Sequence, residues 1–323
     1  MRNDAPFQFF SVEVLRTERV TPAMARITLG GEDVARMATA GRDQRVKLFF
    51  PHPGQDAPVM PDSDRADWYD AYRELDPAVR GIMRTFTARE LRRDPDELVI
   101  DFALHGPSEP HGPSAPHGPD EGGGGLRSGR GGTALAGAPP GGEEAAHIST
   151  AAAEAASGPA SRWARSARPG DRISVLAPVY EENAGYDFRP PDGTDWILLA
   201  ADACALPAVA GILETLPPGV PARVWVEVPD RADRQDLPTK ADAEITWLTP
   251  HAHPSPATAA AISAAALPDG TPYAWVAGES ATVKAVRRHL VRDRGFDRGR
   301  VKFSGYWRRG ASEDNLTAVG DDA

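Results

Sequence analysis

The chain has 323 residues, a formal net charge of −10 and a single cysteine, Cys204. Its length predicts two domains of roughly 100 to 150 residues each. The acidic balance excludes nucleic acid and anionic membrane as general partners, because both require a basic surface. One cysteine excludes an internal disulfide and a cysteine-based metal site, so redox chemistry would need a bound cofactor.

The sequence contains no run of about 18 apolar residues, and its first residues lack the apolar stretch of a signal peptide. We therefore expect a soluble, cytoplasmic protein without integral membrane association. We also expect a monomer that holds no metal of its own.

The first third of the chain contains short segments in which β-branched and aromatic residues partly alternate with polar ones. Many short strands without intervening helices are typical of an antiparallel barrel. The predicted strands cover residues 8–16, 24–29, 44–50, 84–89 and 98–104, and a further strand is predicted at 171–177.

Residues 107–157 interrupt this pattern, because Gly, Ala and Pro dominate and no aromatic residue occurs. Such a composition buries too little apolar surface to offset the entropy of ordering, so we predict a disordered insertion. A His-Gly-Pro repeat begins at His105, His111 and His117. Three imidazoles could bind a soft divalent metal, but a duplication in a tolerated loop is the simpler interpretation.

After Asp195 the strands alternate with helices, which predicts a parallel sheet covered on both faces. A Pro- and Gly-rich run at 189–193 predicts the domain boundary. The predicted domains are a barrel at 7–190, an α/β domain at 194–310 and a flexible tail at 311–323. Within the α/β domain, strands are predicted at 196–200, 222–228, 244–248, 273–276 and 301–304, and helices at 206–216 and 280–294.

The run Arg84-Thr85-Phe86-Thr87 combines three groups that suit a flat, phosphate-bearing cofactor. The arginine provides a cation for a phosphate, the phenylalanine an apolar ring, and the threonines hydroxyls for hydrogen bonds. Strand alternation places Arg84 and Phe86 on one face and Thr85 and Thr87 on the other. An ordinary buried strand with a surface arginine is the alternative interpretation.

The run Gly158-Pro159-Ala160-Ser161, followed by Trp163, predicts the start of a helix. Free backbone N–H groups at a helix N-terminus, with a hydroxyl beside them, are suited to binding a pyrophosphate. The same residues also serve for capping alone.

Two further candidate sites follow predicted strands of the α/β domain, where such sheets bind ligands. Asp202 and Pro207 lie between the first strand and its helix, and Cys204 beside them is interpreted as a small hydrophobic residue more readily than as a redox thiol. Gly278-Glu279-Ser280 ends a later strand. Glycine permits close approach of a ring, and Ser280 is predicted to cap the helix. Glu279 would face the ligand, or simply stabilise the helix dipole.

With Lys47 in Val-Lys-Leu-Phe-Phe-Pro and Arg308 in Gly-Tyr-Trp-Arg, these motifs resemble the siderophore-interacting protein family over about residues 8–310, apart from the insertion. The resemblance implies a β-barrel flavin domain and a Rossmann-like α/β domain. It also implies FAD-dependent reduction of ferric siderophores by NADPH or NADH, with the iron belonging to the substrate. The implied cofactor-binding residues are Arg84, Thr85, Phe86, Thr87, His105, Gly158, Ala160, Ser161, Trp163, Asp202, Pro207, Gly278, Glu279 and Ser280. The implied catalytic residues are Thr87 and Glu279, and Lys47 and Arg308 would bind the substrate.

Two other functions are compatible with the same motifs. One is a general flavin reductase of the same architecture. The other is a siderophore-binding protein without turnover, which is favoured by Phe86, Ala203 and Cys204, where the family usually has other residues.

The choice between NADH and NADPH depends on the loop at 229–234, which offers both an acid for a ribose diol and arginines for a 2′-phosphate. Lys284, Arg287 and Arg288 on the following helix add positive charge. These residues favour NADPH slightly, although they are as easily a solvated surface.

Overall fold

The computed structural model describes residues 5–61, 68–104, 158–249 and 257–309. The predicted insertion at 107–157, the predicted tail at 311–323 and His105 lie outside the described residues. The described parts of both sheets belong to one compact unit. None of the helices in these four segments is long and apolar enough to cross a membrane.

The first sheet of the described chain is antiparallel. It contains β1 (Phe7–Thr21), β2 (Met24–Gly30), β3 (Arg45–Phe50), β4 (Ile82–Thr87), β5 (Glu90–Arg92), β6 (Glu97–Ala103) and β7 (Arg172–Pro178), and is accompanied by helices α1 (Trp68–Glu74) and α2 (Pro159–Ser166). The strand order is β4-β3-β7-β1-β2-β6-β5, and the sheet forms a half-barrel. In β1, Phe10, Val12 and Val14 are buried, whereas Ser11 and Glu13 are exposed. This period of two places apolar side chains in the core of the half-barrel.

The second sheet is parallel, with the order β10-β9-β8-β11-β12. It comprises β8 (Trp196–Asp202), β9 (Pro221–Glu227), β10 (Asp242–Leu248), β11 (Pro272–Glu279) and β12 (Val301–Trp307), with helices α3 (Leu206–Thr215), α4 (Ala257–Ala264) and α5 (Ser280–Arg288). Strand β8 is apolar on both sides: Ile197 and Leu199 pack in one core cluster, and Trp196 and Leu198 in the other. Cores on both faces are expected when helices cover a parallel sheet. Strands β9 and β10 lie on one side of β8, and β11 and β12 lie on the other, so the strand order switches between β8 and β11. The carboxyl ends of these two strands therefore border the crevice where α/β sheets bind ligands.

The two sheets are held together by buried polar contacts. Asp43, which is buried, accepts hydrogen bonds from Trp275 Nε1 at 2.9 Å and from the backbone N–H of Phe188 at 3.0 Å. Helix α3 packs against the loop before β3 so closely that a Cβ on Gly211 would lie 2.2 Å from the carbonyl oxygen of Arg42. The relative position of the half-barrel and the parallel sheet is therefore fixed by specific contacts.

The predicted fold class, an antiparallel flavin-type sheet followed by a parallel α/β sheet, is confirmed. Helices α1 and α4 and the short strand β5 were not predicted. Helix α1 has only seven residues, and α4 (ATAAAISA) lacks an apolar periodicity, so neither gives a helical signal in the sequence. The predicted helix at 280–294 is α5 followed by a π-helical turn at His289–Asp293.

Candidate active site

Asp202 organises the carboxyl edge of the parallel sheet. Its Oδ1 accepts hydrogen bonds from the backbone N–H groups of Cys204, at 2.9 Å, and Ala205, at 3.4 Å. Its Oδ2 accepts from the N–H of Glu279, at 2.8 Å, and from Trp307 Nε1, at 2.7 Å. Burial raises the pKa of Asp202, and the four N–H donors oppose that shift. One carboxylate thus connects the ends of β8, β11 and β12.

Gly278 is required by this arrangement. Its φ is +141°, and a Cβ there would lie 2.6 Å from Asp202 Oδ2. A side chain at this position would displace the carboxylate from its donors. The neighbour that requires glycine at this position is Asp202 and not a bound ring. Contact of Gly278 with a nicotinamide stays a prediction.

Helix α5 is capped by Glu279, and the prediction of Ser280 as the N-cap is wrong. Glu279 Oε2 accepts hydrogen bonds from the N–H groups of Ala281, at 2.8 Å, and Thr282, at 3.1 Å. The hydroxyl of Ser280 instead donates to the carbonyl oxygen of Trp307, at 2.9 Å. Since β12 lies beside β11, this hydroxyl joins the end of β12 to the start of α5.

Asp202, Gly278 and Glu279 line a cleft of about 370 Å³ at the carboxyl edge of the sheet. The sequence analysis missed several polar residues of the cleft, among them Glu227, which ends β9, and Thr258, near the start of α4. The hydroxyl of Thr258 donates to Glu227 Oε2 at 3.0 Å. A sequence signal for Glu227 existed, because it is an acid at the end of the second strand of the domain. The other lining residues are Ala200, Ala201, Asp202, Val276, Ala277, Gly278, Glu279, Ala281, Thr282, Val283, Val286, Trp307 and Arg309.

The turn after β8 supports the structural interpretation of Cys204. Burial raises the pKa of its thiol well above the usual value, so the reactive thiolate is disfavoured at neutral pH. Pro207 is buried in the first turn of α3, where its missing N–H costs no helical hydrogen bond. A contact of Pro207 with a nucleotide stays a prediction.

The loop at 229–234 does not offer both of its acids to a ribose. Asp233 is buried and accepts hydrogen bonds from Thr21 Oγ1 at 2.8 Å and from the N–H of Ala23 at 2.7 Å, both in the hairpin between β1 and β2. Asp233 also forms a reciprocal capping box with Asp230. Asp233 therefore contacts the half-barrel, and binding of a ribose by an acid of this loop stays a prediction that only Asp230 could meet.

Thr85 and Thr87 lie on the same face of β4 but differ in exposure. Thr85 is exposed, and its hydroxyl accepts a hydrogen bond from Lys47 Nζ at 3.2 Å. Thr87 is buried, and its Oγ1 makes no hydrogen bond to the described residues. The Tyr306 hydroxyl on β12 is close enough for a weak hydrogen-bonding interaction with it, although the two groups lie outside ordinary hydrogen-bond geometry. Burial raises the pKa of Tyr306, so this hydroxyl is neutral over the ordinary pH range.

Phe86 lies on the other face of β4, within an aromatic cluster of the half-barrel. Its ring centroid is 4.5 Å from that of Phe102 and 6.2 Å from that of Phe50. Trp163 of α2 joins the same cluster, 4.9 Å from Phe50. Arg84 is half-buried on this face and donates from Nη1 to the carbonyl oxygen of Met83 at 2.6 Å. The predicted alternation along β4 agrees with these positions, and the packing of Phe86 against a flavin stays a prediction.

Helix α2 begins as expected at Pro159, after the N-cap residue Gly158, which provides no side-chain cap. Ala160 is half-buried, and Ser161 is buried in the first turn. A second cleft, of about 590 Å³, adjoins this helix and contains two cations, Arg162 and Arg172. Three features fit an FAD. The helix start without a side-chain cap and the nearby cations offer donors and positive charge for its phosphates, and the buried Thr87 hydroxyl offers a polar partner for its ring.

The predicted site residues thus fall into three groups. Asp202, Gly278, Glu279 and Ser280 meet at the carboxyl edge of the parallel sheet. Thr87 lies near that edge, because it is close to Tyr306 near the end of β12. The residues of α2 lie with the aromatic cluster of the half-barrel, while Arg308 is exposed directly after β12.

An antiparallel half-barrel followed by a five-stranded parallel sheet defines a structural class, the ferredoxin-reductase-like fold. Within that class, the sequence model of the siderophore-interacting FAD-binding domain matches residues 13–120, and that of the siderophore-interacting protein matches residues 194–310. The chain belongs to the siderophore-interacting protein family, and its cofactor is FAD.

Individual relatives are similar over nearly the whole chain. The crystal structure of a siderophore utilization protein from T. fusca is 30% identical, with 95% of each chain covered and a TM-score of 0.67. The NADPH-dependent ferric-chelate reductase of Escherichia coli is 28% identical over 95% of each chain. The ferric vibriobactin reductase ViuB of Vibrio cholerae is 26% identical, over 94% of this chain and 90% of that protein.

Proposed function

We propose that this protein is an FAD-dependent oxidoreductase that uses NAD(P)H to reduce ferric siderophores in the cytoplasm. The observation that carries the proposal is the proximity of Thr87 and Tyr306. Strand β4 belongs to the FAD-binding domain, and β12 ends at the cleft of the parallel sheet. A cofactor on β4 and a nucleotide in the cleft would therefore meet at this point. The reductases among its relatives support the same reaction.

The chain's own residues would bind and orient the two redox partners. Arg84 would contact the FAD phosphates, and the unpaired Thr87 hydroxyl would hydrogen-bond the flavin. The chemistry that FAD supplies when bound is the conversion of a two-electron donor into one-electron transfers. Glu279 would border the nicotinamide, since its backbone is fixed by Asp202 and its carboxylate by the start of α5.

The substrate would be held by Lys47 and Arg308. Ferric siderophores are often anionic, so cations beside the cofactor would bind them and favour electron uptake. Lys47 is half-buried and Arg308 exposed. Iron(II) binds hard oxygen donors more weakly than iron(III), so the reduction itself would release the metal.

The test is an assay of the purified protein with FAD, NADH or NADPH, a ferric siderophore and a colorimetric iron(II) chelator. We expect a bound flavin with absorption bands at about 380 and 450 nm, as is general for flavoproteins. We also expect formation of iron(II) that depends on the nucleotide. Faster reduction of free flavin than of any ferric complex would instead indicate a general flavin reductase. Siderophore binding without turnover would indicate a binding protein.

A further inference from the structure

On the basis of the proposed function, we propose that Glu227 makes the protein select NADH over NADPH. Glu227 is the last residue of β9 and pairs in register with Asp202, the last residue of β8. Both line the same cleft. In nucleotide-binding α/β sheets, an acid at this position accepts hydrogen bonds from the ribose hydroxyls of NAD, whereas an arginine nearby accommodates the 2′-phosphate of NADP.

Among the residues that the structure describes, one side-chain contact holds the carboxylate of Glu227 and leaves it able to accept further hydrogen bonds. Thr258 is buried and donates its hydroxyl to Oε2 at 3.0 Å. Within the described residues, Oε1 has no hydrogen-bond partner, and Glu227 is half-buried. A ribose diol offers two hydroxyl donors and no charge. It therefore matches an oriented carboxylate with an unused acceptor oxygen.

The charge of the cleft opposes a 2′-phosphate. Its ionisable side chains are Asp202, Glu227, Glu279 and Arg309, and no other arginine or lysine lines it among the residues that the structure describes. A phosphate dianion placed beside Glu227 would be repelled by that carboxylate, and Arg309, whose backbone N–H lies at Glu279, is the one arginine or lysine of the described lining that could offset the repulsion.

The cations that favoured NADPH in the sequence lie elsewhere. Arg287 stacks on the ring of Phe303, with 4.2 Å between its guanidinium carbon and the ring centroid. Lys284 and Arg288 are exposed on α5, and neither they nor the arginines of the loop at 229–234 are among the described residues that line the cleft. Selectivity therefore follows from Glu227, and the slight preference for NADPH inferred from the sequence is replaced by a preference for NADH.

The experiment compares the FAD-loaded protein with Glu227→Gln, Glu227→Arg and the matched control Glu244→Gln. Glu244 is an acid of the same sheet that pairs with Arg223 at 3.2 Å, outside the cleft. Titration calorimetry measures the dissociation constants of 5′-ADP and 2′,5′-ADP, and stopped-flow absorption measures flavin reduction by NADH and by NADPH. Glu227→Gln retains an oxygen for Thr258, so it tests the charge with little change in packing.

We expect the unmodified protein and Glu244→Gln to bind 5′-ADP and use NADH at least about tenfold better than the phosphorylated counterparts. Glu227→Gln should reduce that ratio about tenfold, and Glu227→Arg should reverse it. An unmodified protein that prefers 2′,5′-ADP, or a ratio unchanged in Glu227→Gln, would overturn the assignment while leaving the proposed function intact. If neither nucleotide binds or reduces the flavin, the donor in the proposed function is wrong, and the selectivity fails with it.

Discussion

Thr87 and Tyr306 place two hydroxyls, one from each sheet, close together inside the protein. The Thr87 hydroxyl is buried, and Tyr306 beside it lies outside ordinary hydrogen-bond geometry. A buried hydroxyl with no partner costs about 1–3 kcal/mol of stability, and the weak interaction with Tyr306 offsets part of that cost. A ligand that supplies the missing partner would recover this free energy. The residue is therefore a candidate for a cofactor contact for a physical reason that does not depend on resemblance.

We predict that Thr87→Val raises the melting temperature of the FAD-free protein but reduces the additional stabilisation that FAD provides. Valine has the same shape without the unpaired hydroxyl. Thr21→Val is the matched contrast, because the Thr21 hydroxyl donates to Asp233 at 2.8 Å and its loss should destabilise both forms. Thermal unfolding with and without FAD measures these differences. An equal FAD-dependent shift in Thr87→Val and the unmodified protein would contradict the flavin contact.

We predict that Lys47→Ala and Arg308→Ala slow the reduction of a ferric siderophore but leave flavin reduction by the nucleotide nearly unchanged. The loss should diminish as salt rises, because screening already weakens the attraction in the unmodified protein. Stopped-flow spectroscopy separates the two half-reactions, and Lys240→Ala, in an exposed loop, is the control. Siderophore reduction at unmodified rates in low salt would place the substrate elsewhere.

At the scale of the element, the edge of the half-barrel depends on one carboxylate. Glu97 of β6 accepts from Arg16 Nη1 at 2.6 Å and from Arg16 Nη2 at 2.7 Å, and Arg92 of β5 lies 3.4 Å from it. The Arg16 hydrogen bonds, with a smaller contribution from Arg92, lower the pKa of Glu97. A lowered pKa means that this carboxylate stabilises the fold above the usual glutamate pKa, and that the stabilisation is lost as the pH falls through the lower, folded-state value.

We therefore predict that Glu97→Gln is less stable than the unmodified protein at neutral pH and that the difference narrows below about pH 4, near the usual glutamate pKa. Urea unfolding at several pH values measures it. The bridge is partly exposed on the Arg16 side, so the effect at neutral pH should be modest. A difference that stays constant down to strongly acidic pH would show that the pair does not contribute through its charge.

Strands and longer helices could be predicted from the sequence because their residues repeat with a period that reports burial. Strand β8 is one example, since its apolar run predicts a strand buried on both faces. Contacts between distant segments leave no such local signal. The sequence thus singled out Gly278 for the approach of a ring and Asp202 as an acid at a strand end, but it could not reveal that these two residues touch each other. It also missed the contact between Glu227 and Thr258, which depends on strand order and on the position of α4.

At the scale of the whole molecule, the packing of α3 against the half-barrel depends on Gly211. We predict that Gly211→Ala destabilises the protein by about 1–3 kcal/mol, because the new Cβ would meet the Arg42 carbonyl oxygen at 2.2 Å. Helix propensity alone would give the opposite sign, a gain of about 1 kcal/mol. Chemical denaturation therefore distinguishes the two by direction. A stabilised variant would mean that the loop at Arg42 moves aside without cost.

Two buried acids join the halves of the molecule in opposite directions. Asp43, before β3, accepts from Trp275 in the parallel sheet, and Asp233, after β9, accepts from Thr21 and Ala23 in the antiparallel one. Each half therefore contributes an acceptor whose donors belong to the other. A chimera that took one half from a relative would leave charges without partners unless the matching donors were transferred as well. The reciprocal acids should accordingly restrict which halves can recombine in evolution, even where each half alone is similar in fold.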